Sequence, residues 1–291
     1  MEHHPFPEKR KVDEISGALG EGITLPKAPS LWQRPISTYL PPALFLVVGL
    51  SLWEAIAPTG WLVSPVLLPT PSKIAQAAWG LLGTSYFLEN LQRTLYEIAF
   101  GFAIAAGAGL VTGTILAIVP LMRLVMYPYI IAAQALPKVV LVPLFIVLFG
   151  FGPASKIVTA AAIAFFPVFI NTMVGLSLVE EDQRRLMESF TANRWQLFTK
   201  LQIPSALPLI FAGIKTSATY AMTGAIVAEF LTGTDKGLGR LISIFSFALQ
   251  MDSVFSLVLI IAIMAFLLFA AIERLGKKIV FWGEGAERSG M

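Results

Sequence analysis

Six long apolar runs alternate with short polar stretches along the chain, at 38–57, 94–119, 125–149, 157–179, 207–231 and 253–272. Each has the roughly 20 residues that a helix needs to cross about 30 Å of hydrocarbon. The fourth, Ile157 to Val179, carries no charged residue; the second holds only Glu97 and the third only Lys138. The runs lack the alternating polar positions of a membrane barrel. Backbone groups in lipid must bond within their own segment, which predicts helices. The predicted fold class is an all-α polytopic membrane protein with six transmembrane helices.

Between the runs, the polar segments set orientation. With the first segment inside, the inner segments 1–37, 120–124, 180–206 and 273–291 hold fourteen Lys and Arg residues, and the outer segments hold five. An excess of basic residues marks the cytoplasmic side. Both termini are therefore expected in the cytoplasm, with a tail at 1–37, a membrane domain at 38–272 and a second tail at 273–291. Residues 1–37 lack an apolar core followed by a small-residue cleavage site and read as a retained tail. In the outer segment 58–93, Leu68-Pro69-Thr70-Pro71-Ser72 predicts a turn. Ser72 is the expected N-cap of a short helix over Ile74–Leu82, lying on the outer surface.

Composition narrows the function. Of 291 residues, 56% are hydrophobic and 13% charged, against about 25% charged in a soluble domain. A soluble enzyme is excluded, and so is disorder. There is no cysteine, and the two histidines, His3 and His4, sit at the extreme N-terminus. No catalytic constellation or metal centre is expected. A net charge of +3 does not point to nucleic acid.

The inner loop 180–206 is long where other connections are short. From Arg184 to Leu201 it lacks Pro and Gly, which predicts a helix. Leu186, Phe190, Leu197 and Leu201 fall close to one face, and Met187 and Phe198 widen it. Arg184, Arg194 and Lys200 hold the segment at the aqueous side. Pro204 and Pro208 are expected to end this helix and begin the fifth span. Such a stripe must lie against the membrane surface, its own bundle or a partner.

These residues carry a resemblance. Arg194-Trp195-Gln196-Leu197-Phe198 and Ile203-Pro204-Ser205-Ala206-Leu207-Pro208 resemble the cytoplasmic loop of ABC importer permeases, the membrane subunits of binding-protein-dependent uptake systems. That family's loop reads Glu-Ala-Ala, three residues, Gly, then about nine residues to an Ile-x-Leu-Pro-like end. Aligned on Pro204, the Glu falls on Arg185, the two Ala on Leu186 and Met187, and the Gly on Thr191, so the small positions are all substituted. Other stretches are similar to one subgroup: Ala135-Leu136-Pro137-Lys138, continuing to Pro143-Leu144; Gly150-Phe151-Gly152-Pro153-Ala154-Ser155-Lys156; Phe165 to Thr172; Ala228-Glu229-Phe230; and Gly237-Leu238-Gly239. The subgroup comprises permeases for sulfonates, taurine, nitrate, bicarbonate and thiamine precursors. The likeness runs in order from about 60 to 275. Phe211 to Leu241 is most similar to permeases for thiamine-precursor pyrimidines.

The resemblance implies a type I, MetI-like permease fold in the bacterial plasma membrane, working as a homodimer or with a close homologue. It implies two ABC ATPase subunits docked on Arg184, Arg185, Leu186, Met187, Phe190, Thr191, Arg194, Trp195, Leu197, Phe198, Leu201 and Pro204. An extracytoplasmic binding protein or domain would meet 58–92 and 232–252. ATP and Mg belong to the partner ATPase: this chain carries no Gly-x-x-x-x-Gly-Lys-Ser/Thr loop. Gly233 to Gly237 has only a superficial likeness to one, on the outer side. The chain itself is expected to be no enzyme and to hold no cofactor.

Polar residues within spans are the candidates for a transport path. Lys138 follows Pro137, and Pro143 repeats the break, giving a kinked segment. Gln134 and Lys138 either face the path, or Lys138 snorkels from a structural kink. Asn171 and Thr172 interrupt a charge-free span. Thr216, Thr219, Tyr220 and Thr223 share one helical face and either line a path or bond their own helix. Glu229, near the outer end of the fifth span, forms an ion pair or part of an outer gate. Arg93 and Glu97, four apart, suit an intrahelical pair. Gly109 and Gly113 stand in the Gly-x-x-x-Gly relation, which favours close packing within the bundle, with a dimer seam as the alternative. An ATP-independent secondary transporter or channel is the rival function, but inverted repeats are not visible and the loop is left without a role. A membrane-embedded enzyme would need clustered carboxylates or histidines.

Overall fold

A computed structural model describes residues 40–61, 63–233 and 236–280. The tail 1–37 with His3 and His4, residues Thr234 and Asp235, and the end of the second tail with Arg288 lie outside the described residues. Every regular element among the described residues is helical. Two compact units meet in sequence between Leu52 and Trp53. In the first, the described residues are one apolar helix, the beginning of α1 (Leu40–Ile56). All remaining elements belong to the second.

Among the described residues, five helices are long and apolar enough to cross a membrane, and a bent pair makes a sixth span if it is counted as one. The first is α1 with the turn Ala57–Thr59. The second, α3 (Ser85–Ile118), begins nine residues before its apolar run and spans 34 residues, about 51 Å at 1.5 Å per residue. Hydropathy misses its first turns because Ser85, Glu89, Asn90, Gln92 and Arg93 are polar, yet Asn90 is buried. Thr84 caps this helix through the Phe87 N–H.

The expected third span is a corner, not one kinked helix. Helix α4 (Pro120–Ala135) stops, a single 3-10 turn runs from Lys138 to Leu141, and α5 (Val142–Phe149) leaves at 88°. Leu136 is extended, with ψ 134°, as the ring of the following proline demands. Pro143 does not break the chain a second time; it sits in the first turn of α5, where a missing N–H costs nothing.

The core is a close packing of α3, α6 (Pro153–Ser177) and α9 (Ile203–Thr232). Glycines set the spacing. A Cβ at Gly101 would lie 2.5 Å from the Ala160 methyl, and one at Gly113 would lie 2.7 Å from the Phe169 carbonyl. The Gly109 and Gly113 pair therefore packs α3 on α6 inside the bundle, and the dimer-seam alternative does not describe it. Gly224 of α9 meets Ala160 of α6 in the same way.

The short helix α2 (Pro71–Leu82) is capped two residues before the expected cap, Ser72. Thr70 is the N-cap, and the Ser72 hydroxyl donates to Glu54 Oε1 at 2.6 Å while its N–H donates to Oε2 at 3.0 Å. A carboxylate at a helix N-terminus meets the positive end of the dipole, so Glu54 ties the last turn of α1 to α2. Helix α10 (Leu238–Phe247) and the last crossing, α11 (Met251–Ile279), close the fold around Phe87, Leu241 and Leu257.

Candidate functional site

The inner loop departs from a single helix. Helix α7 covers Glu181–Ser189; Thr191 then takes φ 57°, and α8 (Arg194–Leu197) begins at a capping box between Asn193 and Gln196. Left-handed backbone costs a non-glycine residue roughly 1–2 kcal/mol, and threonine is β-branched, which makes it a genuine outlier there. This is the position where the resembling family carries glycine. Thr191→Gly is expected to raise thermal stability by roughly 1 kcal/mol, read as a higher melting midpoint of the purified chain.

Nor do the prolines end the loop helix. After α8 the chain widens into one π turn, Phe198–Gln202, and runs on as α9 without interruption, so residues 194–232 form one 39-residue rod. The Ile203 N–H reaches the Phe198 carbonyl, and this wider turn makes room where a proline ring at Pro204 would meet the carbonyl of Lys200.

The break divides the apolar stripe in two. Leu186, Phe190 and Trp195 are 59%, 73% and 70% exposed. Met187, Leu197 and Leu201 are half-buried, and Phe198 packs on Leu176, Ala206 and Ile210 of the same chain. Arg184 pairs with Glu188 at 3.1 Å and Arg185 with Glu181 at 3.5 Å, which stiffens α7 along its polar side. Trp195 thus stands in the open at the end of a rod that reaches the core, and Leu186 and Phe190 stand in the open on the helix before it.

The candidate path residues also separate. Thr216, Tyr220 and Thr223 form an uncovered face of α9, with Thr219 half-buried beside them. The hydroxyls of Thr216 and Thr223 donate to the carbonyls of Ala212 and Thr219 at 3.0 Å. Gln134 is exposed at the corner, and its carbonyl accepts from the Lys138 ammonium at 3.1 Å. That ammonium stands 4.8 Å from the Phe166 ring centroid. Asn171 is half-buried and donates to the Pro167 carbonyl at 2.8 Å. Thr172 and Glu229 are enclosed in the packed interior of the chain.

Glu229 belongs to a buried polar clasp at the end of the bundle opposite the loop. Its Oε1 accepts from the Thr94 hydroxyl at 2.6 Å and its Oε2 from the Gly239 N–H at 2.7 Å. The Gly237 N–H donates to Asn90 at 2.8 Å and the Leu238 N–H to Thr94 at 2.9 Å. Three successive N–H groups that open α10 and have no partner in their own helix are thus met by side chains of α3 and α9. Gly237 has φ 147°, and a Cβ there would strike the Glu229 carboxylate. Arg93 donates to Glu97 at 3.1 Å, as its spacing predicts, and Lys156 comes from α6 to within 3.7 Å of the same oxygen. Lys156 is fully buried and also donates to the Lys236 carbonyl at 3.2 Å. Sequence reasoning missed Lys156, Asn90 and Thr94. A lone acid inside an apolar run needs a partner, and Glu97 was the signal that could have found them.

The described residues form a helical bundle with a pair of helices bent by 88° at the third apolar run and a long helix that carries the inner loop. This fold is similar to a solved chain of the inward-facing MetNI methionine ABC transporter, with TM-score 0.52, 16% identity, and coverage of 72% of this chain and 98% of that one. The family model described as the inner membrane component of binding-protein-dependent transport systems matches residues 105–280, and the chain belongs to that family. It is an ABC importer permease. Among relatives, the formylaminopyrimidine transport permease ThiX of Halalkalibacterium halodurans is 30% identical over 84% of this chain and 96% of its own. The riboflavin permease RibX of Chloroflexus aurantiacus is 32% identical, covering 86% and 94%. The putative aliphatic sulfonates permease SsuC of Bacillus subtilis is 32% identical, covering 84% and 88%.

Proposed function

We propose that this permease carries a small flat heterocycle, of the pyrimidine or flavin kind, delivered by an extracytoplasmic binding protein. The face of α9 left uncovered supports this reading. It carries the neutral hydroxyls of Thr216 and Thr223 and the ring of Tyr220, and no cation. A flat ring with donors and acceptors along its edge matches hydroxyls and an aromatic surface. Two copies, with these faces opposed, would enclose the path together with the corner at Gln134 and Lys138, the half-buried Asn171, and Thr219. Relatives that carry pyrimidine and flavin compounds agree with this cargo.

In this reading two ATPase subunits, with their ATP and Mg, grip Leu186, Phe190 and Trp195. Their approach moves the 39-residue rod and reopens the path on the other side, an exchange between two discrete states. Both termini and the loop would lie in the cytoplasm of a bacterial cell. The binding protein would dock on the opposite end, over α2 and α10. Relatives for sulfonates favour a second cargo, a small oxyanion. The test is thermal denaturation of the partner binding protein with formylaminopyrimidine, riboflavin, taurine and nitrate. A shift with either heterocycle alone supports the first cargo, and a shift with taurine or nitrate alone overturns it.

A further inference from the structure

A groove of about 490 Å³ opens between α3, α9 and α11. Ile98, Phe102, Ala218, Met222, Met264 and Leu268 line it, so its wall is hydrocarbon and thioether. The volume is that of a ligand cavity, about 300–1,000 Å³. An apolar groove open to the bilayer is filled by whatever apolar chain fits it, because an empty wall forfeits its contacts.

Basic residues continue the same strip toward one membrane surface. Lys215 lies three residues before Ala218 and seven before Met222, on one helical face. Its ammonium stands 4.7 Å from the centroid of Phe269, next to Leu268. Arg274 and Lys278 follow on α11, and both are exposed. Glu273 is engaged by Lys277 at 3.3 Å. From Leu268 to Lys278 the helix rises about 15 Å, half of a hydrocarbon core of about 30 Å. The groove therefore lies one acyl tail deep beneath a pair of surface cations, which is the arrangement a phospholipid has.

We propose that the groove binds one tail of an anionic phospholipid, with its phosphate on Arg274 and Lys278 and Lys215 reaching up from below. The negative headgroup is selected by charge: each basic residue at an anionic surface contributes about 1 kcal/mol, close to fivefold in affinity. A zwitterionic lipid brings its own cation to the same place and loses that gain.

Native mass spectrometry of the full chain, exchanged into phosphatidylglycerol or phosphatidylcholine, tests the site. One phosphatidylglycerol per chain is expected to survive activation that strips phosphatidylcholine. R274Q with K278Q should cut that preference roughly twenty-fivefold. Ala99→Trp, at an exposed position on the rim, should block the tail and remove retention while leaving the melting of lipid-free chain unchanged. Equal retention of both lipids overturns the proposal, as does an unchanged preference in the charge-removed variant. A photoreactive residue at position 267 should label lipid; labelling of another protein copy would show that a helix, not a lipid, fills the groove.

Discussion

Phe190→Asp is expected to abolish ATP-coupled transport while leaving the membrane bundle folded. Phe190 is the most exposed of the three loop side chains Leu186, Phe190 and Trp195, at 73%, and it belongs to none of the buried core clusters. Leu186 lies four residues earlier on the same face of α7. Aromatic anchors at the centre of a protein interface carry about 2–4 kcal/mol each. A carboxylate driven into an apolar groove adds a desolvation cost of its own. The loss of affinity for the ATPase should therefore exceed thirtyfold. Co-purification of the cognate ATPase with the tagged permease reads this directly, and the melting midpoint of the permease alone serves as the control. Phe198→Asp should behave oppositely, because Phe198 is packed on Leu176, Ala206 and Ile210: it should lower stability first. If Phe190→Asp retains its ATPase, the loop is not the docking surface.

The second large effect lies at the other end. Lys156→Met should destabilise the fold by about 3–5 kcal/mol, because it leaves carboxylates buried without one of their cations. For a chain of this size that lowers the melting midpoint by roughly 10 °C. Removing Glu97 together with Lys156 should recover much of the loss, since exchanging a buried ion pair for apolar side chains is often close to neutral. Glu229→Leu is expected to act differently. Glu229 receives the Gly239 N–H and the Thr94 hydroxyl, so its loss should loosen α10 locally. Faster hydrogen exchange at Gly237, Leu238 and Gly239 would report this. Uniform destabilisation with no change at those amides would assign Glu229 a merely global role.

How much of this was legible in the sequence depends on what kind of force fixes each feature. The crossings were legible because hydrophobic length is a local property: the run at 157–179 became α6, Pro153–Ser177. The outer turns of α3 were not, because Asn90 and Thr94 are buried by partners that lie 147 and 144 residues away. The corner at Leu136 was readable as a break from Pro137, but its angle of 88° depends on how α5 rests on α6. In the loop, spacing suggested one helical stripe. The left-handed Thr191 and the Asn193 capping box divide it, and single-residue backbone geometry leaves no periodicity to read. Among the path candidates, hydroxyl spacing on α9 indicated one face, and Thr216, Tyr220 and Thr223 do share an uncovered one. For Thr172 and Glu229, polarity within a span reflected interior packing and capping, a distinction that only the neighbours make.

The corner between α4 and α5 carries a consequence for how the cell handles this polypeptide. Around Leu136 and Pro137 the main chain leaves the helical ladder, and amide groups in that state are not tolerated against hydrocarbon. If the importer pairs two permease copies, a copy waiting in the bilayer for its partner would present this weak spot to lipid and to membrane proteases. Supply of the assembled importer is then expected to follow the scarcest subunit, with orphan copies cleared and not stored. Overproducing this chain by itself should give rapid turnover and cleavage near that bend.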